Sequence, residues 1–340
     1  MRTLLNTLYV TTPESYLSKD GLNIVVSVKQ EEVFRIPIHN IEQIVTFGYI
    51  GASPGLMKLC ADNNVALTFL SPQGRFICRS QGPTKGNVLL RKAQYRFSDD
   101  RNLALHLSKL FVAGKIQNYR NILRRFIRDN GNDDCVAKVA EELLKCKGKI
   151  LTAESVDRVR GIEGEAASSY FGIFSHLLLC QKDDFPFSGR SRRPPKDAIN
   201  ALLSFIYTLL CNDITSALET IGLDPYVGFM HTLRPGRASL SLDMIEELRA
   251  YLGDRLALSL INRKQITIKD FIKQGDESVI MTDNGRKTIL SAWQNRKKER
   301  LTHPYLNQQV EIGLIPYIQA MLLARFIRGD IDDYPVFLIK

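Results

Sequence analysis

At 340 residues, 44% hydrophobic and 24% charged, the chain has the composition of a globular protein able to bury one or two sizeable cores. Forty-six Lys and Arg oppose 36 Asp and Glu, a net charge of +10 that suits a polyanionic partner such as nucleic acid. The N-terminal MRTLLNTLYVTTPESYL lacks a signal peptide's apolar run, and no stretch reads as a membrane span, so a cytoplasmic protein with no membrane partner is expected. The six Cys are scattered without a C-x-x-C pair; they read as small core residues and argue against a thiolate zinc site.

Residues 1 to about 80 read as strands. TLLNTLYVTT, LNIVVSVKQ, EEVFRIPIHNIEQIVTF, VALTFL and GRFICRS are rich in Val, Ile, Thr and Phe, and turn signals at Lys19-Asp20-Gly21 and Ser71-Pro72-Gln73-Gly74 separate them. A short helix is predicted from Ser53, as N-cap, to Asp62, with Pro54 in its first turn. Residues 81–87 read as a linker. Beyond it the apolar period becomes helical, at 89–95, 102–130, 134–145, 151–180, 197–220, 239–257 and 306–327, with a hairpin or lid at 261–285. The expected class is α+β: a small β domain over 1–80, a sheet or sandwich, then a larger all-helical domain over 88–340.

Three elements can carry chemistry. In RGIEGEAASSYFGIFSHLL (160–178), positions 163, 166, 167, 170, 171, 174, 177 and 178 share one helical stripe, so the carboxylate of Glu163 heads an apolar face. Burying it unpaired is costly. It therefore meets an arginine, a helix N-terminus or a metal, and the stripe alone does not choose among these. His231 falls on an irregular connection marked by Gly222, Pro225, Gly228, Pro235 and Gly236, with Arg234 and Arg237 beside it as phosphate holders or solvated charges. Asp243, Glu246 and Glu247 follow at i, i+3 and i+4 on one helix face, either a solvated acidic patch or a site where a cation relieves their repulsion. Oxygen ligands with one imidazole suit Mg²⁺ or Mn²⁺, which would polarise a phosphodiester.

These residues resemble a known family. R-G-I-E-G-x-A-A-x-x-Y-F at 160–171, G-F-M-H-T at 228–232 and the D-x-x-E of Asp243 and Glu246 are similar, in order and spacing, to the signature of the CRISPR-associated integrases, the catalytic subunit of spacer acquisition. The segment 187–207 resembles that family's central region, so the likeness spans essentially the whole chain. The resemblance implies metal ligation by Glu163, His231 and Glu246, the last a Glu where the family often carries Asp. Asp243 would support the site and share in coordination. It implies DNA cleavage in isolation and, in the assembled complex, attack of a fragment's 3′-hydroxyl on a phosphodiester at the CRISPR repeat. It further implies double-stranded DNA as substrate, a homodimer joined through the β domain and a small bridging adaptation subunit. R-S-R-R-P-P-K-D looks closest to type I members, for which a RecB-like exonuclease is a further partner.

The same central segment supports DNA contact. Arg190, Arg192, Arg193 and Lys196 cluster before a helix that Pro194 and Pro195 help to start, and Asn200, Ser204, Tyr207 and Cys211 share a polar face that would line a DNA path. The basic runs RNILRRFIR and RKKER fit solvated faces or outlying phosphate contacts equally. A second reading keeps the fold but makes the chain a catalytically silent DNA-binding scaffold; the full Glu, His and Glu set favours the enzyme.

Overall fold

The computed structural model describes residues 6–72, 74, 76–83, 88–191, 194–275 and 277–339. The chain forms two compact units. The first comprises Met1–Lys85, Thr282–Arg300 and Glu311–Leu314; the second comprises Gly86–Met281, Leu301–Val310 and Ile315–Lys340.

The first unit holds two four-stranded sheets. One has the order β1 (Thr7–Val10), β5 (Gln43–Phe47), β7 (Ala66–Leu70), β8 (Phe76–Ser80), parallel except for the last pair. The other runs β4 (Glu31–Pro37), β3 (Asn23–Val28), β2 (Ser15–Asp20), β6 (Gly51–Ala52). The run read as one strand from 31 to 47 is broken at Pro37, which cannot donate to a ladder. A 3₁₀ turn at Ile38–Asn40 follows, and β5 joins the other sheet. β2 was not among the strands read from sequence; it runs through the first two residues of the turn signal to Asp20, which pairs with Asn23 around Gly21, whose φ of 57° suits glycine. The short helix is as expected. α1 (Pro54–Asp62) starts on Ser53, whose side chain accepts from Leu56 N. Leu17, Ile24, Ile44, Leu56 and Leu67, all fully buried, bring both sheets and α1 into one core.

The helical unit begins with α2 (Val88–Asp99), α3 (Arg101–Asn130) and α4 (Asp134–Leu151), the last two capped by Asp100 and Asp133. α5 (Val156–Gly172) starts five residues later than the 151–180 expectation because Ser155 caps it, and a 3₁₀ turn at Phe174–Leu177 closes the segment. α6 (Ala198–Ile221) is buried on nearly every side. By length and composition it would pass for a membrane span, which the sequence reading had not found, but most of it lies inside the protein, as in a core helix. α7 (Ser239–Leu248) passes through a π-helical stretch, Arg249–Asp254, into α8 (Arg255–Asn262). β9 (Phe271–Lys273) and β10 (Val279–Met281) form the expected hairpin.

Two corrections follow. The segment 282–300, expected within an unbroken helical domain, forms α9 (Asp283–Lys298) and belongs to the first unit, while α10 (Ile315–Arg328) returns to the helical unit. The predicted helix over 306–327 therefore starts nine residues late, after a short strand at Gln309–Glu311. The linker read at 81–87 coincides with the division between units, although 84–87 lie outside the described residues. Cys60 and Cys146 are buried as expected; Cys78 and Cys135 are exposed.

Candidate active site

The centre of the helical unit is a buried cluster of opposite charges from three helices. α3 places Lys115 on the same stripe as Phe111, Val112, Tyr119 and Ile122, all buried. Its ammonium is fully inside the protein and donates to Glu163 Oε1 of α5. It also lies 2.6 Å from Glu246 Oε2 of α7. Glu163 keeps 21% side-chain exposure, so the cluster opens towards solvent on the α5 side. The other oxygen of Glu246 accepts from Arg249 Nη2 at 3.0 Å. Burial alone would raise the Glu246 carboxyl, but the charges of Arg249 and Lys115 outweigh it and hold its pKa at about 2.

His231 reaches this cluster from the loop between α6 and α7. Asp243 organises that loop. Its Oδ2 accepts the backbone N–H groups of Phe229 at 2.6 Å and Met230 at 3.0 Å, and its Oδ1 accepts that of His231 at 2.9 Å. The same Oδ1 lies 2.6 Å from His231 Nδ1. With the carboxylate accepting, Nδ1 carries the proton and Nε2 keeps its lone pair for a ligand. Gly228 is required here. A Cβ on it would stand 2.6 Å from Asp243 Oδ2 and 2.7 Å from the Ser239 carbonyl carbon. α2 braces the loop through Ser98 Oγ, which donates to Gly228 O at 2.8 Å, and Gln94, which donates to Asp224 O and Val227 O. Arg160, one turn before Glu163, donates to Thr232 Oγ1 at 2.9 Å and ties α5 to the same loop.

The three acids of α7 have separate fates, and the solvated acidic patch is not observed: all are buried. Glu246 faces the cations. Asp243 is consumed by its loop, so the expectation that it shares in coordination is replaced by a positioning role. Glu247 turns to the C-terminal segment, accepting from Tyr334 Oη, Gln319 Nε2 and Phe337 N. Burial pushes its pKa up to about 7 against those three hydrogen bonds. Asn118 and Asn121 of α3 fasten the same segment through Phe337 O, Ile339 N and Ile339 O.

Beneath the cluster, Tyr207 is buried and donates to Asp254 at the end of the π-helical stretch. The guanidinium of Arg249 lies over its ring at 4.7 Å and that of Arg190 at 5.3 Å. Gly253 leaves room for this, since a Cβ would stand 2.7 Å from Tyr207 Cε1. Burial raises Asp254 to about 7, against the Tyr207 hydrogen bond and the charge of Arg249. Tyr207 therefore does not line a DNA path. Arg190 is likewise turned inward, donating to Asn200 Oδ1 at 2.6 Å and covering Phe171. The start of α6 is not free for phosphate either, because Asp197 caps it. Lys196 and Arg234 remain exposed, Arg237 is half-buried, and Arg192 and Arg193 lie outside the described residues.

Sequence reasoning missed Lys115 and Arg249. Lys115 had a signal, a cation in the middle of an apolar stripe, which is the rule that singled out Glu163. By donor chemistry the set offers a divalent metal two carboxylates and an imidazole whose Nδ1 is already committed, while the ammonium of Lys115 stands between the carboxylates where a cation would bind.

Comparison with known proteins gives the family of the chain. The family described as "CRISPR associated protein Cas1" matches residues 8–295. The CRISPR-associated endonuclease Cas1 1 of Chlorobaculum tepidum is 50% identical, with 99% of each chain covered. A Geobacter sulfurreducens protein, a CRISPR-associated exonuclease Cas4/endonuclease Cas1 fusion, is 34% identical over 98% of this chain and 60% of its own length. A solved casposase bound to its integration product shares the fold, with a TM-score of 0.84 at 22% identity, covering 97% of this chain and 92% of its own. The chain belongs to the CRISPR-associated Cas1 family, whose members are endonucleases and integrases.

Proposed function

We propose that the chain is a metal-dependent DNA integrase that inserts fragments into a CRISPR array, with Glu163, His231 and Glu246 as the metal ligands. The reading is carried by one observation: carboxylates from two helices converge on Lys115 beside an imidazole whose Nδ1 is pinned by Asp243. Mg²⁺ or Mn²⁺ bound there supplies charge stabilisation at the attacked phosphodiester. Asp243 fixes the tautomer and aim of His231, Arg249 orients Glu246, and Lys115 holds the two carboxylates together. The net charge of +10, with Lys196 and Arg234 exposed, supports double-stranded DNA as the partner.

The resemblance adds a homodimer and a small bridging adaptation subunit. Val33 and Phe34, exposed on the edge strand β4, suit association through the β unit. The Geobacter fusion supports a RecB-like exonuclease as a further partner.

The test is strand transfer of a fragment with a 3′-hydroxyl end into a supercoiled repeat plasmid, with the bridging subunit and Mn²⁺. Transfer is expected to vanish in His231→Ala while DNA binding persists. Transfer that survives would remove His231 from the mechanism. A wild-type complex that binds DNA tightly without any transfer would favour the scaffold reading.

A further inference from the structure

Outside the candidate active site, a second set of metal-binding side chains meets at the start of α4. Asp133, Cys135 and His176 present one carboxylate oxygen, one thiol sulfur and one imidazole nitrogen, all within 4.8 Å of one another. We propose that these three residues bind a borderline transition-metal ion of the Zn²⁺ class, at a site separate from the Glu163, His231 and Glu246 set.

The geometry divides the work of Asp133. Its Oδ1 caps α4 by accepting from Val136 N at 3.1 Å, and its Oδ2 lies 3.0 Å from His176 Nδ1. Capping therefore leaves Oδ2 for the site. Tetrahedral zinc with bonds of about 2.0 Å to oxygen and nitrogen and about 2.3 Å to sulfur sets its ligand atoms roughly 3.3–3.6 Å apart. The oxygen and nitrogen already stand near that spacing. The sulfur, within 4.8 Å of the other two, need close by no more than roughly 1.5 Å, and Cys135 is exposed. Binding replaces the thiol proton, and the imidazole moves its proton to Nε2 as Nδ1 changes from donor to ligand. Water completes the coordination from the solvent side, where His176 and Asp133 keep 40% and 31% exposure.

The donor set also chooses the ion. Thiolate with imidazole favours zinc-like metals and gives Mg²⁺ little reason to bind, whereas the central site offers carboxylates and a single imidazole. A metal here would join the α3–α4 corner to the turn that closes α5, the two helices that present Lys115 and Glu163. Its effect is structural support of the acidic site.

The test uses the full chain, stripped of metal and titrated with Co²⁺, reading the sulfur-to-cobalt charge-transfer absorption. One equivalent with that signature is expected, displaced by Zn²⁺ and unaffected by Mg²⁺. Cys135→Ser should remove the signature and weaken binding at least about tenfold. Asp133→Asn, which keeps a capping side chain, should weaken it similarly. His231→Ala should retain it. Absence of the charge-transfer band, or a band that persists in Cys135→Ser, would overturn the proposal; binding of Co²⁺ without that band, lost in His231→Ala, would assign the ion to the central site and overturn it equally.

Discussion

Glu246 and Glu247 are neighbours in sequence and both are buried, yet they occupy opposite electrostatic regions. On one side of α7, Lys115 and Arg249 hold Glu246 ionised, its pKa at about 2. On the other, Tyr334, Gln319 and Phe337 offer hydrogen bonds without a formal charge, and burial takes Glu247 up to about 7. The charge of the partners, not the depth of burial, decides whether a buried carboxyl is an anion ready for a cation or a neutral brace. Around Glu246 the protein concentrates buried charge. Around Glu247 it builds a seal for its C-terminal segment.

This contrast makes predictions of graded size. Lys115→Met leaves the carboxylate side with one cation fewer and should destabilise the fold by about 3–5 kcal/mol, since it breaks a buried ion cluster from one side. Denaturant titration with and without Mn²⁺ measures this, and added metal should restore part of the loss by returning positive charge to the acids. A variant as stable as wild type would mean that the cluster's charges are already solvated.

The second prediction concerns pH. Glu247 has a folded pKa near 7 against an ordinary 4.5. The folded state thus holds a proton that the unfolded state has lost, and its contribution falls as pH rises from 4.5 to 7, by on the order of 3 kcal/mol. Glu246 acts in the opposite sense, its contribution being present above 4.5 and lost as pH falls towards 2. Glu247→Gln should therefore remove part of the decline in Tm between pH 4.5 and 7, the rest belonging to Asp254, which burial also raises to about 7, and leave acid unfolding in place. An unchanged slope would remove Glu247 from the decline and leave it to Asp254.

Gly228→Ala should cost about 1–3 kcal/mol, because the added methyl meets Asp243 and the backbone of α7. Strand transfer should fall further than stability does, since the same shift misdirects His231. A loss of stability with full activity would separate the loop from the chemistry. The smallest effect belongs to Arg234→Ala. DNA affinity should fall a few-fold, equally for all sequences, and the salt dependence of binding should lose about one unit of slope. No change would leave Arg234 as a solvated loop charge.

The parts of the site that were legible in sequence share one property: they break a local pattern. Glu163 stands out as a carboxylate at the head of an apolar stripe, and His231 as an imidazole in a glycine- and proline-marked loop. The carboxylates at 243, 246 and 247 were legible as a group but not in their separate roles, because periodicity reports a face and not what that face meets. Tyr207 was misread for the same reason, since a polar face on α6 looks alike whether it meets water or Asp254. α9 was invisible as an element because only Ile289, Leu290, Ala292 and Trp293 interrupt a run of polar and basic residues. Its place in the β unit depends on contacts across more than 200 positions, as from Lys297 to Thr7, which no local signal carries.

That discontinuity has a consequence for synthesis. The β unit is built from segments distant in sequence, so its sheets leave the ribosome well before Thr282–Arg300 and Glu311–Leu314 do. Until then the nascent unit lacks a buried tryptophan and the helix that carries it. It must wait in a partly exposed state while Gly86–Met281 is made, as expected for a unit closed by contacts distant in sequence. A fragment ending before residue 282 would strand it there, and attempts to study the β unit alone need the two late segments joined back to it.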